Sequence, residues 1–143
     1  MSILQKSSEN FDAVGLLMDN KINAPVIHCA YYSSLQLIIH FVYNYCSLTG
    51  EQIDAGTSNS GSHNFFINAC VTEIRRIDSR NASIFYTYFS QFKRKRREAD
   101  YDETIMSEQE LIGAKERVIK IRKFIKLIED EGRCENIHNI QTN

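Results

Sequence analysis

Apolar positions along this chain recur at steps of three and four, the period of an α-helix with one buried face. Phe11, Val14, Leu17 and Met18 predict a first helix over about Ser8 to Asn20. Asn23 offers an N-cap for a second helix, with Pro25 just inside it, where a missing N–H costs nothing; this helix extends to about Cys46. A third helix is predicted over about His63 to Ile77, capped by Ser60 or Ser62, and a fourth over about Ala82 to Ala99, capped by Asn81. Ser107-Glu108-Gln109-Glu110 is a capping-box pattern, and the stripe Leu111, Ala114, Val118, Ile121, Ile125, Ile128 follows it, so a fifth helix starts there. Residues 49–62, rich in Gly, Ser, Thr and Asn, are expected to form a flexible loop. Gly132 is the expected stop of the last helix, and 132–143 the expected disordered tail. The pattern predicts one all-α domain over 1–143, an antiparallel up-and-down helical bundle of about five helices.

Composition agrees with one domain: 143 residues, 43% hydrophobic and 24% charged, enough to bury a core without metal or disulfide. A single proline and six glycines argue against an all-β fold. Ile22 to Gly50 carries no charge at all, which raises a membrane-spanning reading. Asn23, His28, Ser33, Ser34, Gln36, His40 and Asn44 argue against it, and a helix buried in a bundle fits instead. No secretory signal pattern opens the chain. Cys29, Cys46, Cys70 and Cys134 form no C-x-x-C pair, so a reduced cytoplasmic protein without metal or cofactor is expected.

The net charge of -1 excludes a uniformly basic nucleic-acid binder but not a local patch. That patch is Lys93-Arg94-Lys95-Arg96-Arg97. Phe85, Phe89 and Phe92 mark the buried face of the fourth helix, and the same step arrives at Arg96. Arg96 is therefore aimed inward or into a groove, and a guanidinium on that stripe requires a partner, for which Glu98 and Asp100 are the candidates. Lys93, Arg94, Lys95 and Arg97 splay toward solvent, either as an RNA-binding patch or as a solvated helix end complementing the dipole. His28, Tyr32, Gln36, His40 and Asn44 form a polar line at spacing four, read either as a hydrogen-bonded seam or as the border of a cleft. His63 either helps start its helix or joins an anion site there. On the fifth helix, Lys115, Arg122, Lys123 and Lys126 read as a solvated face opposite the apolar stripe. Walker-type glycine loops and nucleophile elbows are absent.

Arg96-Arg97-Glu98-Ala99-Asp100-Tyr101 resembles the R-x-x-A-D-Y segment of one branch of the HEPN superfamily (higher eukaryotes and prokaryotes nucleotide-binding domains). His28-Cys29-Ala30-Tyr31-Tyr32-Ser33 resembles its tyrosine-pair stretch, Ser62-His63-Asn64 its histidine segment, and Ser107 to Ile128 its last amphipathic helix. The resemblance covers about Phe11 to Ile128. It implies a dimeric HEPN-like bundle that interacts with RNA or nucleotide, in toxin–antitoxin or defence settings. It also implies an alternative, a non-catalytic interaction protein paired with a nucleotidyltransferase or other enzyme. Nuclease members, which are metal-independent endoribonucleases, carry R-x4-6-H. Here the slot at x4 holds Tyr101, a poor base with an ordinary pKa of about 10, though able to donate a hydrogen bond to phosphate. Arg96, Asp100, Tyr101 and His63 are thus the catalytic candidates, with Lys93, Arg94, Lys95, Arg97 and Tyr32 for RNA. Arg133 and His138 also match R-x4-H, a spacing that nine arginines and four histidines produce by chance.

Overall fold

The computed structural model describes residues 1–141, with side chains described to Glu131. It is all-helical: α1 Ile3–Asp19, α2 Val26–Tyr45, α3 Gly50–Ser60, α4 Ser62–Ile77, α5 Ser79–Tyr101 and α6 Glu108–Gln141. There are six helices among the described residues, not five.

The additional helix is α3, which replaces the expected loop over 49–62. Its cause is local. Thr49 accepts from the Gln52 backbone N–H, and the Gln52 side chain accepts from the Thr49 N–H, a complete capping box. Ile53 anchors the helix in the core, and Gly56 lies so close to the Phe65 ring that a Cβ there would collide with it. Gly61, at φ +79°, joins α3 to α4 in a backbone conformation that favours glycine, so neither Ser60 nor Ser62 caps α4.

Other boundaries shift for similar reasons. Ser2 accepts from the Gln5 N–H and starts α1 earlier than expected. Asn23 does not cap α2; its carbonyl accepts from the Val26 N–H in a turn, and Pro25 flanks the helix. Asp78, not Asn81, caps α5, accepting from the N–H groups of Arg80 and Asn81. Ser107 and Glu110 form the expected box at the start of α6. Gly132 does not end α6, which continues to Gln141.

The uncharged α2 is the hub, packing against α1, α4, α5 and α6. Its Ile27, Ala30, Tyr31, Leu35, Ile38, Phe41 and Val42 are buried with Phe85, Phe89 and Phe92 of α5 and the predicted α6 stripe. No helix of the described residues is long and apolar enough to cross a membrane. One polar cross-link runs through this core. Ser7 Oγ donates to the Ser33 carbonyl (2.6 Å) and Ser33 Oγ to the Ser7 carbonyl (2.7 Å), tying α1 to α2. Arg122 Nη2 donates to the Ser7 carbonyl (3.0 Å) and to Ser33 Oγ (3.2 Å), while its guanidinium covers the Phe11 ring. Arg122 is thus not part of a solvated face. It adjoins Ile121 and lies one turn beyond Val118, at the margin of the buried stripe.

Candidate functional site

The aromatic stripe of α5 does end at Arg96, which is 8% exposed. Its guanidinium lies over the rings of Tyr31 (5.3 Å) and Tyr32 (5.8 Å) on α2. Of its two sequence-level partners, Asp100 is the one engaged: Arg96 Nη1 donates to Asp100 Oδ2 at 3.2 Å. The same oxygen accepts from His28 Nδ1 at 2.9 Å, and the His28 ring lies 4.6 Å from that of Tyr32. Asp100 therefore clasps two helices, bridging an arginine on its own helix and a histidine on α2. Arg96 Nε is buried without a hydrogen-bond partner, so the charge is held by Asp100 and by the faces of two rings.

His63, in the first turn of α4, enters the same cluster from the other side. Its Nδ1 lies 3.1 Å from the Tyr31 hydroxyl, and its ring sits beside both tyrosine rings. Partial burial, then the charges of Lys93 and Arg96, lower the His63 pKa below its ordinary value of 6.5. Burial raises that of Tyr31, so its hydroxyl keeps its proton. The pair sets an imidazole nitrogen within hydrogen-bond distance of a tyrosine hydroxyl that holds its proton.

Arg96, Asp100, His63 and Tyr32 are thus brought together. Tyr101 is not: it is 78% exposed at the end of α5, with no hydrogen bond or ring contact among the described residues. One residue beyond Asp100 on a helix is a rotation of about 100°, which carries Tyr101 off the clustered face. Arg133 and His138 lie outside the residues whose side chains are described.

The basic run divides. Lys93, Arg94 and Arg97 line a groove of about 390 Å³ between α4 and α5. Lys93 Nζ donates to Asn64 Oδ1 at 2.6 Å, bringing the start of α4 beside the end of α5. Burial and the charges of Arg96 and Arg97 lower the Lys93 pKa, a sign of how crowded with cations this corner is. Lys95 departs from expectation. It turns to the opposite side and pairs with Glu110 of α6 (2.7 Å) and with Glu98 (3.5 Å), so it staples helices rather than facing the groove. Arg94 also has Glu98 at 3.6 Å, an exposed pair of small energetic weight.

The polar line of α2 does not act as one seam. A step of four overshoots a helical turn by about 40°. Successive members therefore meet different neighbours: His28 meets Asp100, Gln36 meets Asn10 of α1, and His40 pairs with Asn44 on its own helix. Tyr86, Asn64 and Asn68, which line the groove, were not among the predicted site residues. A signal for Tyr86 was present: Tyr86, Ser90, Lys93, Arg94 and Arg97 keep helical spacing on one side of α5. Among the described residues no group of three potential ligands could hold a metal ion, and Cys29, Cys46 and Cys70 are free thiols. Compared with protein-family models, curated proteins and solved structures, the chain matches none.

Proposed function

We propose that this chain is a HEPN-like module, an antiparallel up-and-down bundle that binds RNA or a nucleotide through the groove between α4 and α5. The observation that carries this reading is the placement of Lys93, Arg94 and Arg97 on one groove wall, next to buried Arg96 and half-buried His63. Three cations on one side of a helix offer phosphates a site that the overall charge of -1 conceals. Arg96 has a positioning role: bound to Asp100 and covered by two tyrosines, it holds the end of α5, and with it the groove cations, against α2. In this reading the module is a homodimer in the cytoplasm, in a toxin–antitoxin or defence setting.

The closed Arg96–Asp100–His28 network favours a second reading, that of a non-catalytic interaction protein working with a partner enzyme such as a nucleotidyltransferase. Fluorescence anisotropy with a labelled RNA, across a salt series, separates the two. RNA binding through the groove weakens steeply with salt, and each phosphate contact removed lowers the log–log slope by about 0.7 for a single strand. Lys93→Glu/Arg94→Glu/Arg97→Glu abolishes that binding, whereas Lys95→Glu leaves it in place. Unchanged affinity in the triple variant overturns the RNA reading.

A further inference from the structure

The groove is graded along its length. On α5, Tyr86, Ser90, Lys93, Arg94 and Arg97 line it in that order, spanning roughly 16 Å along the helix axis. The ring stands at one end and the cations at the other. Tyr86 is 49% exposed and has no ring or hydrogen-bond partner among the described residues. The α4 wall carries Asn64, Ile67 and Asn68. Asn64 meets Lys93, and the two helices converge at their junction, Asp78, so Ile67 and Asn68 lie toward Tyr86.

This order of chemistry, from cations through a hydroxyl and amides to an exposed aromatic ring, is that of a nucleotide read from its phosphate to its base. The geometry points to a nucleotide unit with an unpaired base as the occupant. Its phosphate lies at Lys93, Arg94 and Arg97, and its base lies on the Tyr86 ring, with the Asn68 amide at its edge. The volume, about 390 Å³, is within the range of about 300–1,000 Å³ for small-ligand sites. A duplex keeps its base faces stacked on each other and offers Tyr86 nothing; an unpaired base is free to stack, and stacking tolerates any sequence. This inference rests on the groove being the RNA or nucleotide site. A free nucleotide and an unpaired residue of an RNA strand share the required chemistry.

The test measures anisotropy of a short mixed-sequence RNA, the same strand paired with its complement, and the same ribose–phosphate chain without bases. Adenosine 5′-monophosphate serves as competitor. Tyr86→Leu and Tyr86→Phe are compared with the parent protein, each checked by thermal melting. The single strand binds more tightly than the duplex or the base-free chain. Tyr86→Leu weakens it by about fivefold or more, the effect of losing one stacked base, without altering the salt slope; Tyr86→Phe retains it. Direct binding of the mononucleotide, measured by calorimetry, without binding of the RNA identifies a free nucleotide as the source and leaves the inference standing. If the RNA binds but Tyr86→Leu holds it as tightly as the parent, the base-stacking inference is wrong and the groove is a phosphate site only. If neither probe binds the parent protein, the reading of the groove fails, and the inference with it.

Discussion

Replacing Arg96 by alanine tests how the end of α5 is held. The substitution removes a guanidinium that is 8% exposed, its 3.2 Å bond to Asp100, and the cation covering Tyr31 and Tyr32. Breaking a buried ion pair from one side costs about 3–5 kcal/mol, chiefly because the other charge stays behind unpaired. Asp100 does not lose every partner, since His28 remains at 2.9 Å and is itself half exposed. The expected cost is therefore at the lower end, about 3 kcal/mol, which lowers the melting temperature by about 10 °C in a domain of this size. Arg97, one residue on and exposed, is the control; its alanine variant changes stability by less than about 0.5 kcal/mol. Arg96→Met keeps much of the volume while removing the charge, and Asp100→Asn removes the orphaned carboxylate. A thermal and urea denaturation cycle over Arg96→Met, Asp100→Asn and the double variant isolates the pair, with a coupling energy within about 0.5–3 kcal/mol. Melting of Arg96→Ala within about 2 °C of the parent refutes the clasp, because it means Asp100 was never dependent on this arginine.

Three further outcomes follow from the same geometry. The His63 pKa is lowered from 6.5 on folding, so below pH 6.5 the unfolded chain takes up a proton that the folded one resists. Its contribution is complete above pH 6.5 and is lost as pH falls toward the folded value; His63→Gln flattens this loss in melts over that range, and an unchanged pH profile counts against the placement of His63 beside Lys93 and Arg96. Thr49→Ala removes the cap of α3 and costs about 1 kcal/mol, read as faster amide exchange over Gly50–Ser60 with the other helices little affected. Ser33→Val removes both the donor to the Ser7 carbonyl and an acceptor for Arg122, lowering stability by about 1–3 kcal/mol in urea denaturation.

What was legible in the sequence was whatever depended on one helix at a time. The stripe Phe85, Phe89, Phe92, Arg96 and the α6 stripe are buried where helical spacing places them, because one element's periodicity fixes which side faces inward. The Arg96–Asp100 pair was legible for the same reason, as a contact one turn apart. His28 meeting Asp100, and Tyr31 meeting His63, join residues far apart in the chain, and no spacing within one helix encodes which helix lies alongside. The α3 helix was missed because its composition resembles a loop and only Ile53 is buried. Yet its Thr49–Gln52 box has the same form as the Ser107–Glu110 box that opens α6. Tyr101 was placed by motif position, but a single helical step is enough to remove it from the face its neighbour Asp100 occupies.

The central place of α2 has a consequence for how the chain is made. α2 spans Val26–Tyr45, but α6, which covers one of its apolar sides, begins only at Glu108. During synthesis the uncharged helix leaves the ribosome long before that cover exists, because domains complete their packing only as the later elements emerge. α1 is already available to shield another side, and its Ser7 can engage Ser33 early, but Arg122, which locks that junction, arrives late. The nascent protein thus passes through a stage in which its stickiest surface is partly wrapped and not yet sealed. That surface is what a ribosome-associated chaperone would meet.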